Sequence, residues 1–188
     1  MPNIVVISDT HGQHNLLTGK IPKCDILIHC GDISSVGRVE QVGSFLYWLD
    51  SQPAKHKCFI AGNHDWLFEQ SEQIAKDMVR QYENMHYLEG KYSDMNTLHI
   101  EGIKIYGDAS QPAFAGWAFN YPRGKVLSEI WSKIPTDLDI LVTHCAPYEI
   151  LDKTVDGDLT GCEDLLERVK IVKPRFHFLD IFMKPMDI

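Results

Sequence analysis

No stretch of this chain stays apolar long enough to cross a bilayer. The longest such runs, around Ile4–Ile7 and Ile140–Val142, hold a handful of residues where about 20 are needed. Nothing ahead of Ile4 has the charged-then-apolar form of a signal peptide, so no export and no membrane partner are expected. Cysteine is sparse and unpatterned: Cys24, Cys30, Cys58, Cys145 and Cys162 are odd in number and lack CxxC spacing. That speaks against a disulfide framework and for a reduced, cytoplasmic protein with free thiols. Positive charge is scarce as well. Lys and Arg number 18 against 26 Asp and Glu, a net charge of -8, and a sequence-independent surface for long nucleic acid needs the opposite balance. A small nucleotide is not excluded. Internal repeats, low-complexity tracts and long linkers are also missing, and 188 residues that are 44% hydrophobic suit one domain, 1–188, able to fold alone.

What is present is a succession of short apolar runs, each stopped by a polar turn. Asn3–Ile7, Asp25–His29 and Lys57–Ala61 read as buried strands. Between the second and third, Val39, Val42, Phe45, Leu46 and Leu49 recur at helical spacing, which predicts a helix over Val36–Leu49. Ser71–Tyr82 reads as a further helix. Tyr92, Thr97–Ile100 and Ile103–Tyr106 alternate by two about Glu101-Gly102, a hairpin signal. A loop rich in Gly, Pro and aromatics (Gln111–Gly124) leads to a helix near Val126–Lys133, a strand over Leu138–Thr143, a helix over Cys162–Val172 and a strand beginning at Phe176. The expected fold is α/β: mixed sheets flanked by helices.

The polar residues fall where those strands end. Asp9 and His11 follow the first, Gly31-Asp32 the second, Gly62-Asn63-His64-Asp65 the third, and His144-Cys145 the run through Val142. Carboxyl ends of strands line one crevice in an open α/β sheet. Singly, an Asp here is more often a helix cap and a His a satisfied structural residue; Cys30 and Cys145 are more simply packing residues. Jointly, oxygen and imidazole donors from four strand ends suit manganese, iron or zinc.

Asp9-Thr-His11, Gly31-Asp32, Gly62-Asn-His-Asp65 and Thr143-His144 closely resemble, in order, the signatures of the calcineurin-like metallophosphoesterase superfamily. Val142–Pro147, Thr160–Glu163 and Lys173–His177 look most like the small metallophosphoesterase-domain-containing phosphodiesterase group. The resemblance implies a metallophosphoesterase β-sandwich of two sheets. It implies two divalent metal ions, manganese first, with Asp9, His11 and Asp32 on one, and Asp32, Asn63 and His144 on the other. A carboxylate shared in this way holds cations about 3.5–4 Å apart to clamp a phosphoryl group and acidify a water. His64 would act beside the metals on the transition state or leaving group, and Asp65 would orient His64 or cap a helix. Arg38 and Arg123 are left outside the site as solvated charges. The implied substrate is a small phosphodiester, cyclic nucleotides included. A catalytically decayed nucleotide- or metal-binding protein is the alternative; a phosphoprotein phosphatase is disfavoured by the compact length.

One family signature is missing. Gly-His-x-His should follow Phe178, but Leu179-Asp-Ile-Phe-Met-Lys-Pro-Met-Asp-Ile188 stands there. A permitted coding of those residues, TTG GAC ATA TTC ATG AAG CCT ATG GAT AT, read from its third base gives Gly-His-Ile-His-Glu-Ala-Tyr-Gly-Tyr. A base lost in a run of T near Phe178 would account for the tail and for a truncated domain, and gene sequencing decides it. Each metal then loses an imidazole, water fills the gap and activity falls. Asp180 lies close by, but a shifted frame gives it no reason to present suitable geometry, so it is not counted as a ligand. Loss of a following strand would also leave an exposed sheet edge.

Overall fold

The computed structural model describes residues 2–90 and 97–180. In chain order its strands and helices are β1 (Ile4–Ile7), β2 (Cys24–His29), α1 (Val39–Asp50), β3 (Ala54–Phe59), α2 (Trp66–Gln70), α3 (Glu72–Val79), β4 (Met85–Tyr87), β5 (Leu98–Ile100), β6 (Ile103–Asp108), β7 (Gln111–Pro112), β8 (Asn120–Tyr121), α4 (Lys125–Trp131), β9 (Ile140–Thr143), α5 (Glu163–Val172) and β10 (Phe176–Leu179). One sheet runs β1-β2-β3-β4, all parallel. The other runs β10-β9-β6-β5, parallel except for the β5–β6 hairpin.

Period-two alternation within the strands makes two sheets into one sandwich. From β2, Ile26 and Ile28 point between the sheets, where they meet Cys58, Ile60, Ile105, Ile140 and Val142. Leu27, between them in sequence, joins Phe45, Leu46, Leu49 and Phe68 in a layer formed with the helices. The second sheet repeats the pattern: Tyr106 and Leu141 pack with Leu127, Trp131 and Leu165. Strands buried on both faces explain why these runs read as continuously apolar.

Most expected elements are found, with shifted ends. The first helix begins at Val39 rather than Val36, because Gly37 has φ +66° and the Gln41 side chain accepts from the Val36 and Arg38 amides. The third strand starts three residues earlier than its apolar run, at Ala54, since backbone pairing with β2 recruits the polar Lys55 and His56. Glu101 and Gly102 both have positive φ, 49° and 74°, as a two-residue hairpin turn requires. Tyr92 lies outside the described residues, as does the tail beyond Asp180. β10 is an edge strand among the described residues. All five cysteines are buried and free. No helix among the described residues is long and apolar enough to cross a membrane.

Phe45 is fully buried and its ring meets those of His29, Trp48 and Phe59. Phe45→Ala is expected to cost about 3–5 kcal/mol, the range for emptying an aromatic core position, and urea denaturation measures it.

Candidate metal centre

The loops after β1 and β2 are laced together by backbone before any side chain is considered. Asp9 N–H donates to the Gly31 carbonyl (3.1 Å), His11 N–H to that of Asp32 (2.9 Å) and Gly12 N–H to that of Ile33 (3.0 Å). Asp9, His11 and Asp32 all adopt left-handed backbone, with φ 54°, 43° and 54°. Such conformations cost energy in non-glycine residues and gather at functional sites.

Two glycines allow the loops to close. A Cβ at Gly31 would stand 2.5 Å from His144 Nδ1, and one at Gly62 would collide with Asp32 Oδ1 and stand 2.7 Å from His144 Cε1. Asp65 ties the same loops from beneath. Its fully buried carboxylate accepts from the amides of Ile33 (3.1 Å), Ser34 (2.9 Å) and Gly62 (2.8 Å) and from the Ser34 hydroxyl (2.6 Å). Burial, then the nearby Asp32 charge, raises its pKa to about 6, against the pull of those donors. Asp65 therefore neither orients His64 nor caps α2 through its side chain, the two roles expected of it. The orienter of His64 is the Ser35 carbonyl, which accepts from Nδ1–H at 2.8 Å.

All six predicted site residues converge. Asp32, only 4% exposed, takes the His64 amide on Oδ1 at 2.9 Å. Its Oδ1 faces His144 Nε2 at 3.5 Å, while Oδ2 faces His11 Nε2 at 3.6 Å and His64 Nε2 at 3.9 Å. His11 Nε2 also lies 3.9 Å from Asp9 Oδ1. Donor atoms of His11, Asp32 and His64 fall within 4.8 Å of one another, as do those of Asp9, His144 and Asp180. His64 is thus inside the donor cluster, edge-on to His11 at 4.7 Å between ring centroids and 4.2 Å from the Trp117 ring. Asp180, which sequence reasoning set aside, belongs to the cluster too.

The chemistry of these donors fits a cation. The His144 Nδ1–H donates to the Cys30 carbonyl at 3.1 Å, which leaves the lone pair of Nε2 facing Asn63 Oδ1 at 3.0 Å and Asp32 Oδ1. Acceptors meeting acceptors need a positive centre between them. Without a metal, a proton supplies it: burial opposes protonation of His144, but the Asp32 carboxylate outweighs it and the pKa rises to about 10. Asp32 is correspondingly lowered, burial being overcome by His144 and His64. A divalent cation would replace that proton, and the outward hydrogen bond to a carbonyl is the usual support of a ligating imidazole.

Neighbouring polar residues have structural duties. His29 is fully buried, hydrogen-bonded to Thr10 at 3.0 Å and lowered to about 3 by burial. Arg123 is an exposed charge, as expected, and it also donates to the carbonyls of Gly161 (2.7 Å) and Thr160 (3.1 Å) and pairs with Glu163.

A two-sheet α/β sandwich with Asp, Asn and His converging at its strand ends is a metalloprotein architecture, and the comparisons say of which kind. Residues 2–178 match the family model of the calcineurin-like phosphoesterases, and the chain belongs to that family. It is 36% identical to the human metallophosphoesterase domain-containing protein 1 over 92% of its own length, spanning 58% of that relative. It is equally identical to the Caenorhabditis elegans UPF0046 protein C25E10.12, covering 92% of this chain and 66% of that one. The fold is similar to that of TT1561 from Thermus thermophilus, with TM-score 0.65 at 16% identity over 95% of this chain and 80% of that structure.

Asp65→Ala is expected to destabilise the protein by about 3 kcal/mol or more, because it strands three buried amides. The same variant should also weaken metal uptake. Chemical denaturation with and without manganese checks both.

Proposed function

We propose that the chain hydrolyses small phosphodiesters, cyclic nucleotides among them, using two divalent cations held across Asp32. One observation carries this: the two oxygens of a single buried carboxylate face different donor sets, Oδ1 toward His144 and Oδ2 toward His11 and His64. In this reading Asp9, His11 and Asp32 hold one cation, and Asp32, Asn63 and His144 the other. Manganese suits the mixture of oxygen and imidazole best, with iron or zinc compatible. When bound, the pair supplies Lewis-acid polarisation of a phosphoryl group and a water acidic enough to serve as nucleophile near neutral pH.

The protein's own groups do the rest. Asp32 would hold both cations, and its carboxylate is positioned by the His64 amide. His64 has Nδ1 committed to Ser35, so Nε2 is the nitrogen that meets a phosphoryl oxygen or hands a proton to the leaving group. Trp117 holds the imidazole plane from one side. The acidic balance of the chain, -8 overall, favours a small substrate over long nucleic acid, and the free thiols suit a cytoplasmic setting. Turnover is expected to be modest, because Leu179-Asp180-Ile-Phe replaces the Gly-His-x-His donors. That replacement also favours a second reading, a nucleotide- or metal-binding protein that no longer turns over.

Hydrolysis of bis-4-nitrophenyl phosphate by the full chain, with manganese, separates these readings. Asp32→Asn should lower kcat by about a thousandfold, through weaker hold on the cations that would stabilise the charge developing on the phosphoryl group. His64→Ala should lower kcat by about 10²–10⁴-fold. A rate indifferent to both manganese and Asp32→Asn sinks the metal mechanism. Nucleotide binding without turnover supports the second reading.

A further inference from the structure

We propose that Asp180 is a metal ligand, adding its carboxylate to the cation position of Asp32, Asn63 and His144, on the side that faces Asp9. The inference rests on the metal-centre reading above and deepens it. Its first support is register. β10 pairs with β9 in parallel, Phe178 opposite Val142 and Leu179 opposite Thr143. The next step along both strands brings Asp180 level with His144 at the carboxyl end of the sheet. The place is set by the pairing of residues 176–179, so any residue at 180 is delivered there whatever its side chain. Chance in the origin of the tail therefore bears on which side chain arrives, not on where it arrives.

The second support is what Asp180 meets. A carboxylate oxygen of Asp180, one of Asp9 and a ring nitrogen of His144 lie within 4.8 Å of one another. Asp9 comes from the other sheet, after β1, so the cluster joins both halves of the sandwich. Two carboxylates at this spacing repel each other in a partly desolvated place. Among the described residues, Asp9 faces His11 at 3.9 Å, and no Lys or Arg forms an ion pair with either carboxylate. His144 is 3% exposed, and its Nε2 also faces Asn63 and Asp32. A hard divalent cation would satisfy Asp180, Asp32, Asn63 and His144 together and screen Asp180 from Asp9, since carboxylate and carbonyl oxygens with one imidazole are a set that manganese accepts. The expectation that water alone fills the gap left at this position is thereby replaced.

Isothermal titration of the chelator-stripped full chain with manganese tests this, alongside the ligand-field absorption of the cobalt(II)-loaded protein. Wild type should take up two manganese ions. Asp180→Asn should weaken one of them by about 100-fold, the upper end of what loss of a ligand's outer partner alone costs, and change the cobalt spectrum. Its metal-free melting temperature should equal or exceed that of wild type, because a like-charge repulsion is removed. A structural role for Asp180 would instead lower it. Asp180→His should restore tight binding and guards against a folding failure of the first variant. Manganese affinities within twofold of wild type for Asp180→Asn, with an unaltered cobalt spectrum, overturn the role of Asp180 alone. Wild type that takes up no cation overturns the metal-centre reading as well.

Discussion

A carboxylate buried among imidazoles organises this protein. Asp32 is 4% exposed, yet its oxygens face three histidine nitrogens at 3.5–3.9 Å, with the His64 amide, at 2.9 Å, the one closer donor among the described residues. Taking such a charge out of water is costly unless positive charge is supplied nearby. When no metal is present a proton on His144 supplies it, the Asp32 carboxylate outweighing burial to push that group up to about 10. Cations supply it better, because each accepts several of these donors simultaneously. The arrangement is poor as packing and sensible as coordination.

Much of the surrounding fold exists to hold that arrangement. Parallel strands of two sheets end at one edge, so loops far apart in sequence arrive together. Left-handed backbone at Asp9, His11 and Asp32, and the absence of a Cβ at Gly31 and Gly62, let those loops approach closely. Asp65 underpins them by gathering three amides and a hydroxyl. The strain stored in the loops is offset by the helices and the apolar layer between the sheets, which hold the strands rigid.

The site residues were legible because each follows an apolar run directly, and local order along a strand translates into position at its end. Asp9, His11, Asp32, Asn63, His64 and His144 all meet as that logic requires. The strand at Ala54 was harder, because its first residues are polar and only pairing with β2 makes them extended. The short helix Trp66–Gln70 gave no repeat long enough to show periodicity. The role of Asp65 is hidden because two of its three amide partners, those of Ile33 and Ser34, lie 32 and 31 residues away, which no local pattern displays. Asp180 was set aside on the origin of its sequence, whereas its place depends on the register of β10.

The central claim is that one carboxylate joins two cations, and diffraction answers it most directly. Crystals grown with manganese, measured near the manganese absorption edge, should give two anomalous peaks about 3.5–4 Å apart, with one oxygen of Asp32 toward each. A map with no peak beside Asp32, or with a lone peak and the carboxylate turned away from His11 and His144, would contradict the account.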